Sequence, residues 1–388
     1  MLSGKKVISE IGSDNIDLYK IKEGVNNWIE SVRDQNSVLY NFSKETKFPT
    51  LLSNCFMVLA LELWDEIDSF LGDKKEILSS YILNCQKNKA GLFIDPLLKK
   101  EDLLLPEVHS WDYVTMQSTM FSVSVLDALG EKPRYEFKFL DKYKDTDYLI
   151  RWLQDRNWRN PWLESNNIMF VSCLLLYEYI QTKDSQILEL IHEFLNWFDK
   201  YQDPKTGFWG TDKGASLANA MAGAFHVYLI YHYLKRPIQY KEKIIDSVLS
   251  LQQKDGLFAT DGGGGSCEDL DAIDILVKLA TLTDYRKGDI KQALLKSLEA
   301  LVNGQNKDGG FSWKIEAKKG FIRRLRYFTK TSFYSDWRLM PFNTYRSDMW
   351  SSWFRPLAIA LIVSTYPEEF GSDFEFKFRR LPGLGWHF

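Results

Sequence analysis

Apolar residues recur with helical spacing along most of the chain, and two kinds of segment alternate. One kind keeps its apolar residues on one face, which is typical of a helix at the surface, and it covers residues 74–85, 187–201, 241–252 and 290–303. The other kind is apolar on most sides, as expected for a buried helix, and it covers residues 50–64, 113–129, 167–180, 216–234, 268–282 and 348–366. No convincing pair of strands is predicted.

A glutamine-containing turn recurs after several surface helices. It places a glutamine before a polar turn that ends in glycine and an aromatic residue. The clearest copies are QKNKAGLF from Gln86, QDPKTGFWG from Gln202, QKDGLF from Gln253 and QNKDGGFSW from Gln305, with weaker ones at Gln154 and Gln35. Most copies are about fifty residues apart, which is the length of two helices and two loops. The repeat predicts one all-α domain over residues 1–388, an (α/α)6 double ring of six helical hairpins.

Composition narrows the functional classes. The net charge is −3, so nothing favours nucleic acid as a partner. There is no signal-peptide pattern and no apolar run long enough for a membrane span, which predicts a cytoplasmic protein. The four cysteines lack CxxC spacing and are expected to be free thiols. Aromatic residues make up 15% of the chain, which suits a deep pocket that stacks on sugars or stabilises cations.

The stretch GGGGSCEDLDAIDIL, residues 262–276, is the best candidate for a reaction centre. Its glycines allow close approach of chain or ligand. Ser266 is the predicted helix N-cap, with Asp269 accepting from the N–H of the cap. Asp271 and Asp274 lie three residues apart on the helix that follows. Acids at a helix start also favour the positive end of its dipole, which is the alternative explanation.

The glutamine turns resemble the QW-type repeats of squalene cyclases, and residues 15–366 resemble the α/α toroid of terpenoid cyclases and protein prenyltransferase β-subunits. In that fold the starts of the inner helices surround a central pocket. Here the resemblance implies a polar, acidic rim made of Asp112, Gln117, Asn166, Asn167, Asn219, Asp269, Asp271 and Asp348. It also offers three tryptophans as pocket walls for substrate or cationic intermediates: Trp111, Trp350 and Trp353.

Class II terpene cyclases protonate their substrate with the middle Asp of a DxDD run. The corresponding run here is Asp269, Leu270, Asp271, Ala272, so the last acid is replaced. The resemblance implies acid-initiated cyclisation of an isoprenoid or lipid-linked substrate, with Asp271 as the proton donor. Asp269 and Asp274 would raise its pKa so that it stays protonated near neutral pH.

Prenyltransferase β-subunits bind zinc through an Asp-x-Cys pair and a later His, and they need a partner subunit. This chain has the reversed order, Cys267-x-Asp269, with His226 and His109 near the starts of inner helices. No cofactor is predicted as the primary expectation. The set Cys267, Asp269 and His226 leaves zinc open as an alternative, Mg²⁺ is a further one, and a partner subunit stays open with them.

Two other functional classes share the predicted shape. Carbohydrate-active (α/α)6 enzymes use paired carboxylates, which Asp112 or Asp348 opposite Asp271 would supply. Tryptophans next to acids in HSWDY and SDMWSSW suit sugars equally well. The third class is a toroid that binds or scaffolds without chemistry.

The last repeat contains an insertion at residues 314–346, and a tail follows the last inner helix at residues 367–388. The insertion includes KKGFIRRLRYF, residues 318–328, which is both basic and aromatic. Such a segment suits a diphosphate, an acidic partner or peripheral contact with an anionic membrane. A solvated connector is the alternative.

Overall fold

Six helices form a closed inner ring in the computed structural model, which describes residues 16–315, 331–370 and 374–388. In chain order these helices are α2 (Leu51–Leu63), α5 (Trp111–Leu129), α7 (Pro161–Thr182), α9 (Leu217–Tyr233), α11 (Ser266–Ala280) and α13 (Met349–Thr365). Each packs on the next, and α13 packs on α2. Their side chains are buried on nearly all sides, which explains why their apolar residues show little helical periodicity.

Six further helices alternate with the inner ones along the chain and form the outer layer. They are α1 (Leu18–Ser31), α4 (Lys74–Asn84), α6 (Thr146–Gln154), α8 (Ser185–Tyr201), α10 (Lys241–Leu251) and α12 (Lys287–Val302). Two short α-helices are also described, α3 (Ile67–Leu71) and α14 (Pro367–Phe370), together with short 3-10 helices at Lys100–Asp102, Lys138–Lys144, Thr211–Lys213 and Tyr334–Asp336. The predicted all-α double ring of six hairpins is confirmed.

The glutamine of the last repeat closes the ring. The side-chain amide of Gln305 donates to the carbonyl of Gly309 at 2.7 Å and to that of Ile21 in α1 at 3.1 Å. Gly309 has φ +91°, and a Cβ there would lie 2.2 Å from the carbonyl oxygen of Gly24. Only glycine permits that approach. The first and last repeats are therefore joined by backbone contact as well as by the glutamine.

A glutamine side chain links neighbouring repeats through the same kind of hydrogen bonds earlier in the chain. In one repeat the residue that does so is not the predicted one. Gln86 donates to the carbonyls of Gly91 and Tyr135, at 3.1 and 2.8 Å. In the QKDGLF copy the linking glutamine is Gln252 and not the predicted Gln253. The side chain of Gln252 donates to the carbonyl of Ala293 at 2.8 Å. The side chain of Gln253 turns back to the carbonyl of Leu251 instead.

The insertion carries the one pair of strands in the described residues, which the sequence pattern did not predict. Strand β1 (Thr331–Phe333) pairs antiparallel with β2 (Pro341–Asn343), and we call residues 331–344 the hairpin. The basic and aromatic stretch at 318–328 lies outside the described residues. Residues 374–388, called the tail below, pack against the ring. No helix in the described ranges is long and apolar enough to span a membrane.

Candidate active site

A cavity of about 450 Å³ lies inside the inner ring. The first halves of α5, α7, α11 and α13 line it, together with the hairpin. Ten aromatic side chains line it: Tyr113, Phe121, Trp162, Phe170, Trp313, Phe333, Tyr334, Phe342, Trp350 and Phe354. Nearly as many polar side chains line it: His109, Gln117, Asn160, Asn166, His226, Asp271, Ser332, Ser335 and Thr344. Its size is that of a pocket for a small organic ligand.

Asp271 is the one carboxyl group among the described residues that line this cavity. Its side chain is buried, and its Oδ2 has no hydrogen-bond partner among the described residues. Burial raises the pKa of Asp271 well above its usual range, and the nearby carboxylates of Glu268, Asp274 and Asp269 raise it further. A raised pKa favours the neutral, protonated form of the group, which is the form that could donate a proton.

Asp269 is occupied by structural contacts. Its Oδ1 accepts from the backbone N–H of Phe258 at 2.8 Å, and its Oδ2 accepts from the N–H of Gly265 at 3.0 Å. Arg355 of α13 donates to the same Oδ2 at 3.0 Å, with both side chains buried. The N-cap of α11 is thus Gly265 and not the predicted Ser266, although Asp269 does accept from the N–H of the cap.

Asp274 is also engaged away from the cavity. It forms a buried ion pair with Lys278, one helical turn later, at 2.6 Å. Burial raises the pKa of Asp274, and it lowers that of Lys278. Of the three predicted catalytic acids, only Asp271 lines the cavity. The other two act on it through their charge.

A histidine–aspartate pair faces the same cavity. Nδ1 of His109, which lines the cavity, lies 2.7 Å from Oδ2 of Asp336. Asp336 and its neighbour Ser335 have φ of +52° and +49°, a strained conformation for such residues. Ser335 donates to Oε1 of Gln117 at 2.8 Å, which fixes the hairpin over α5. The pair was not predicted, because its members are 227 residues apart and share no local motif.

The predicted wall residues divide between cavity and core. Trp350 lines the cavity. Trp353 is buried outside the lining and stacks on Phe56, with ring centroids 6.2 Å apart. Asp348 is the N-cap of α13 and accepts from the backbone N–H of Ser351 at 2.8 Å. Burial raises the pKa of Asp348 to about 7, but its carboxyl group does not line the cavity.

The remaining predicted rim residues lie outside the lining: Trp111, Asp112, Asn167 and Asn219. Asp112 is exposed, and the Trp111 ring packs under Lys100. Asn219 accepts from the N–H of Trp162 at 3.1 Å, so it holds the start of α7. Of the two neighbouring asparagines predicted for the rim, Asn166 lines the cavity and Asn167 does not, because successive side chains on a helix point in different directions.

The proposed zinc ligands do not come together. Among the described residues, no group of three or more His, Cys, Asp and Glu side chains has a geometry that could hold a metal ion. His226 is hydrogen-bonded through Nδ1 to Ser165 at 2.8 Å, and burial lowers its pKa to about 3. Asp269 is bound to Arg355. Cys267 and His226 both line the cavity, but Asp269, the third member of the predicted set, does not.

Comparison with known proteins supports the architecture. The sequence model described as the prenyltransferase alpha-alpha toroid domain matches residues 27–180 and 140–322. No curated protein matches the chain significantly.

Solved structures with a similar fold include carbohydrate enzymes. The GH76A alpha-1,6-mannanase from Salegentibacter sp. HEL1_6 is 13% identical, with 89% of this chain and 100% of that chain covered and a TM-score of 0.51. An inactive variant of that mannanase in complex with alpha-1,6-mannotetrose is 14% identical, with the same coverage and TM-score. A GH76 alpha-mannanase from Bacteroides thetaiotaomicron is 11% identical over 92% of this chain and 98% of that chain, with a TM-score of 0.49. At these identities the similarity establishes the fold alone.

Proposed function

The chain belongs to the prenyltransferase alpha-alpha toroid domain family, and from that premise we propose that it is an enzyme in which Asp271 protonates an isoprenoid substrate to start its cyclisation. One observation carries the proposal. A buried carboxyl group with a raised pKa and an oxygen without a hydrogen-bond partner lies in a cavity that is also lined by ten aromatic side chains. A fold alone does not define a reaction, so the argument rests on this site.

The chemistry follows from the protonation state of Asp271. The electron pair of a substrate double bond takes the proton, which forms a C–H bond and leaves a carbocation and the Asp271 carboxylate. A further double bond of the substrate then attacks the cation and closes a ring. Aromatic faces such as those of Trp350 and Phe354 stabilise the positive charge without a nucleophile that would trap it.

The reaction also needs a group that removes a proton from the final cation. His109 lines the cavity, and its Nδ1 lies 2.7 Å from Oδ2 of Asp336; in the tautomer that donates Nδ1–H to Asp336, Nε2 is the ring nitrogen that keeps a lone pair. The Asp336 carboxylate orients the ring and stabilises the imidazolium that forms. Loss of a proton from the carbon next to the cation to Nε2 gives a cyclic alkene, and transfer through solvent returns the proton to Asp271.

Glycoside cleavage is the second candidate, favoured by the polar side chains of the lining and by the mannanases that share the fold. Asp271 would then protonate the leaving oxygen. That mechanism uses a second carboxylate across the pocket. Asp112 and Asp348, the two partners considered above, do not line the cavity. The single acid among the described lining residues and the ten aromatic side chains are the observations that support the isoprenoid proposal.

The test uses deuterated water as the solvent. Linear polyprenyl substrates and α-linked mannooligosaccharides are incubated with wild type, Asp271→Asn and the control Asp112→Asn. We expect a cyclised isoprenoid that carries one solvent deuterium, lost in Asp271→Asn and retained in the exposed control.

Three outcomes contradict the proposal. Cyclisation that persists in a folded Asp271→Asn protein excludes Asp271 as the donor. Cleavage of mannooligosaccharides by wild type, abolished by the same substitution, assigns the acid to glycoside chemistry. A folded wild type that turns over neither panel favours a binding protein.

A further inference from the structure

The tail crosses the end of the ring at which the inner helices finish. The backbone N–H of Lys377 donates to the carbonyl of Leu63, the last residue of α2, at 3.0 Å. Farther along, the ring of Trp386 packs on Tyr233, the last residue of α9, with centroids 5.5 Å apart. The tail thus spans the ring from one side to the other.

One tail residue reaches the cavity. Leu384 is 5% exposed and lines the cavity together with Phe170 and Phe354. Most of the other lining side chains come from the starts of the inner helices or from the hairpin, whereas Leu384 approaches from the end at which those helices finish. Leu384 therefore forms the floor of the cavity.

The backbone around Leu384 is held in place. The N–H of Arg379 donates to the carbonyl of Gly385 at 3.1 Å, and that of Trp386 donates to the carbonyl of Gly383 at 3.1 Å. Gly385 has φ +86°, and a Cβ there would lie 3.4 Å from Cζ2 of Trp353 in α13. The segment that carries Leu384 is thus held in place by backbone hydrogen bonds and packing.

We propose that Leu384 sets the length of the apolar chain that the cavity accepts, so that the tail is a specificity-determining part of the binding site. The inference rests on the proposed function in one respect, that the ligand is chain-like and develops positive charge near Asp271. Each methylene added to such a ligand buries more apolar area and tightens binding about fourfold. The gain stops when the chain meets the floor, because overpacking a close-packed site is unfavourable.

The test measures binding rather than turnover. Dissociation constants are determined by calorimetry for two series of increasing chain length, n-alkyl dimethylamines, whose ammonium group resembles the cation, and the uncharged n-alkanols. The proteins are wild type, Leu384→Ala, Leu384→Phe and the control Leu381→Ala. Leu381 is buried in the same segment but does not line the cavity.

In wild type, affinity should rise with chain length and then reach a limit. We expect Leu384→Ala to move that limit to chains about two to three carbons longer, because the substitution removes three side-chain carbons. Leu384→Phe should move it to shorter chains, and Leu381→Ala should leave it unchanged. Affinity for short chains should be the same in all four proteins.

The outcomes separate this inference from the proposed function. A limit at the same chain length in wild type and both Leu384 variants overturns the inference alone, and so does an equal shift in Leu381→Ala. If the chain length at which affinity stops rising moves as expected, the result supports Leu384 as the floor. If the amines also bind no more tightly than the alkanols, the result counts against a site for positive charge near Asp271. Absence of binding by both series overturns both.

Discussion

Arg355→Met removes the cation that holds the start of α11. The start of this helix also positions Asp271. Arg355 and Asp269 are 0% and 1% exposed and lie 3.0 Å apart. The substitution keeps most of the side-chain volume but leaves the Asp269 carboxylate buried without its partner. Breaking a buried pair in this way costs about 3 to 5 kcal/mol of the free energy of unfolding.

Arg355 has a second role that adds to this cost. Its Nε donates to the carbonyl of Ser312 at 2.9 Å, and its Nη2 donates to that of Trp313 at 2.6 Å. Each hydrogen bond contributes about 1 kcal/mol. We therefore expect a total loss of about 5 to 7 kcal/mol. Asp269→Asn combined with Arg355→Met should lose less than the sum of the single losses, because no buried charge is left unpaired.

Urea unfolding followed by circular dichroism measures these losses at neutral pH. The matched control is Arg346→Met, which breaks an ion pair with Glu45 in which Arg346 is 58% exposed. Such a surface pair contributes about 1 kcal/mol or less. A loss below about 1 kcal/mol for Arg355→Met would refute the reasoning, as would strict additivity in the double variant.

Three further predictions concern the ring, the acid and metal. Gln305→Ala should lower the free energy of unfolding by about 2 to 4 kcal/mol, because two carbonyls lose their donor, whereas Gln253→Ala should change it by at most about 0.5 kcal/mol in the same urea assay. Asp271→Asn should be more stable than wild type near neutral pH, and the difference should be smaller in acid. The reason is that the raised pKa of Asp271 makes the stability of the folded wild type fall as pH rises above about 3.9, the ordinary pKa of an aspartate. Thermal melts across pH that show the opposite trend would contradict this. Elemental analysis of purified protein should find no stoichiometric zinc, and a full equivalent that is lost in Cys267→Ser would restore the metal hypothesis.

The ring was predictable from the sequence because its signal is repeated. Each copy of the turn carries its own glutamine and glycine, so an error in one copy does not change the architecture. The choice between Gln252 and Gln253 shows the limit. Both are glutamines at the end of one helix, and only the backbone geometry decides which side chain reaches the next repeat.

The site was less predictable because it depends on the direction of side chains. Asp271 stood out as one acid in a cluster. Its neighbours have structural roles instead, because Asp269 forms an ion pair with a cation from another helix and Asp274 forms one with a cation from the same helix. His109 and Asp336 meet only because the hairpin folds over α5. Contacts between such distant residues follow from the tertiary fold and leave no local pattern.

The central claim is that Asp271 is a neutral acid near neutral pH. Infrared spectroscopy of protein with ¹³C-labelled aspartate separates the carbonyl stretch of a protonated carboxyl group from carboxylate bands, and Asp271→Asn assigns it. We predict a protonated-carboxyl band at pH 7 that is present in wild type and in the control Asp112→Asn and lost in Asp271→Asn. A wild-type spectrum at pH 7 in which that substitution removes only a carboxylate band would contradict the account.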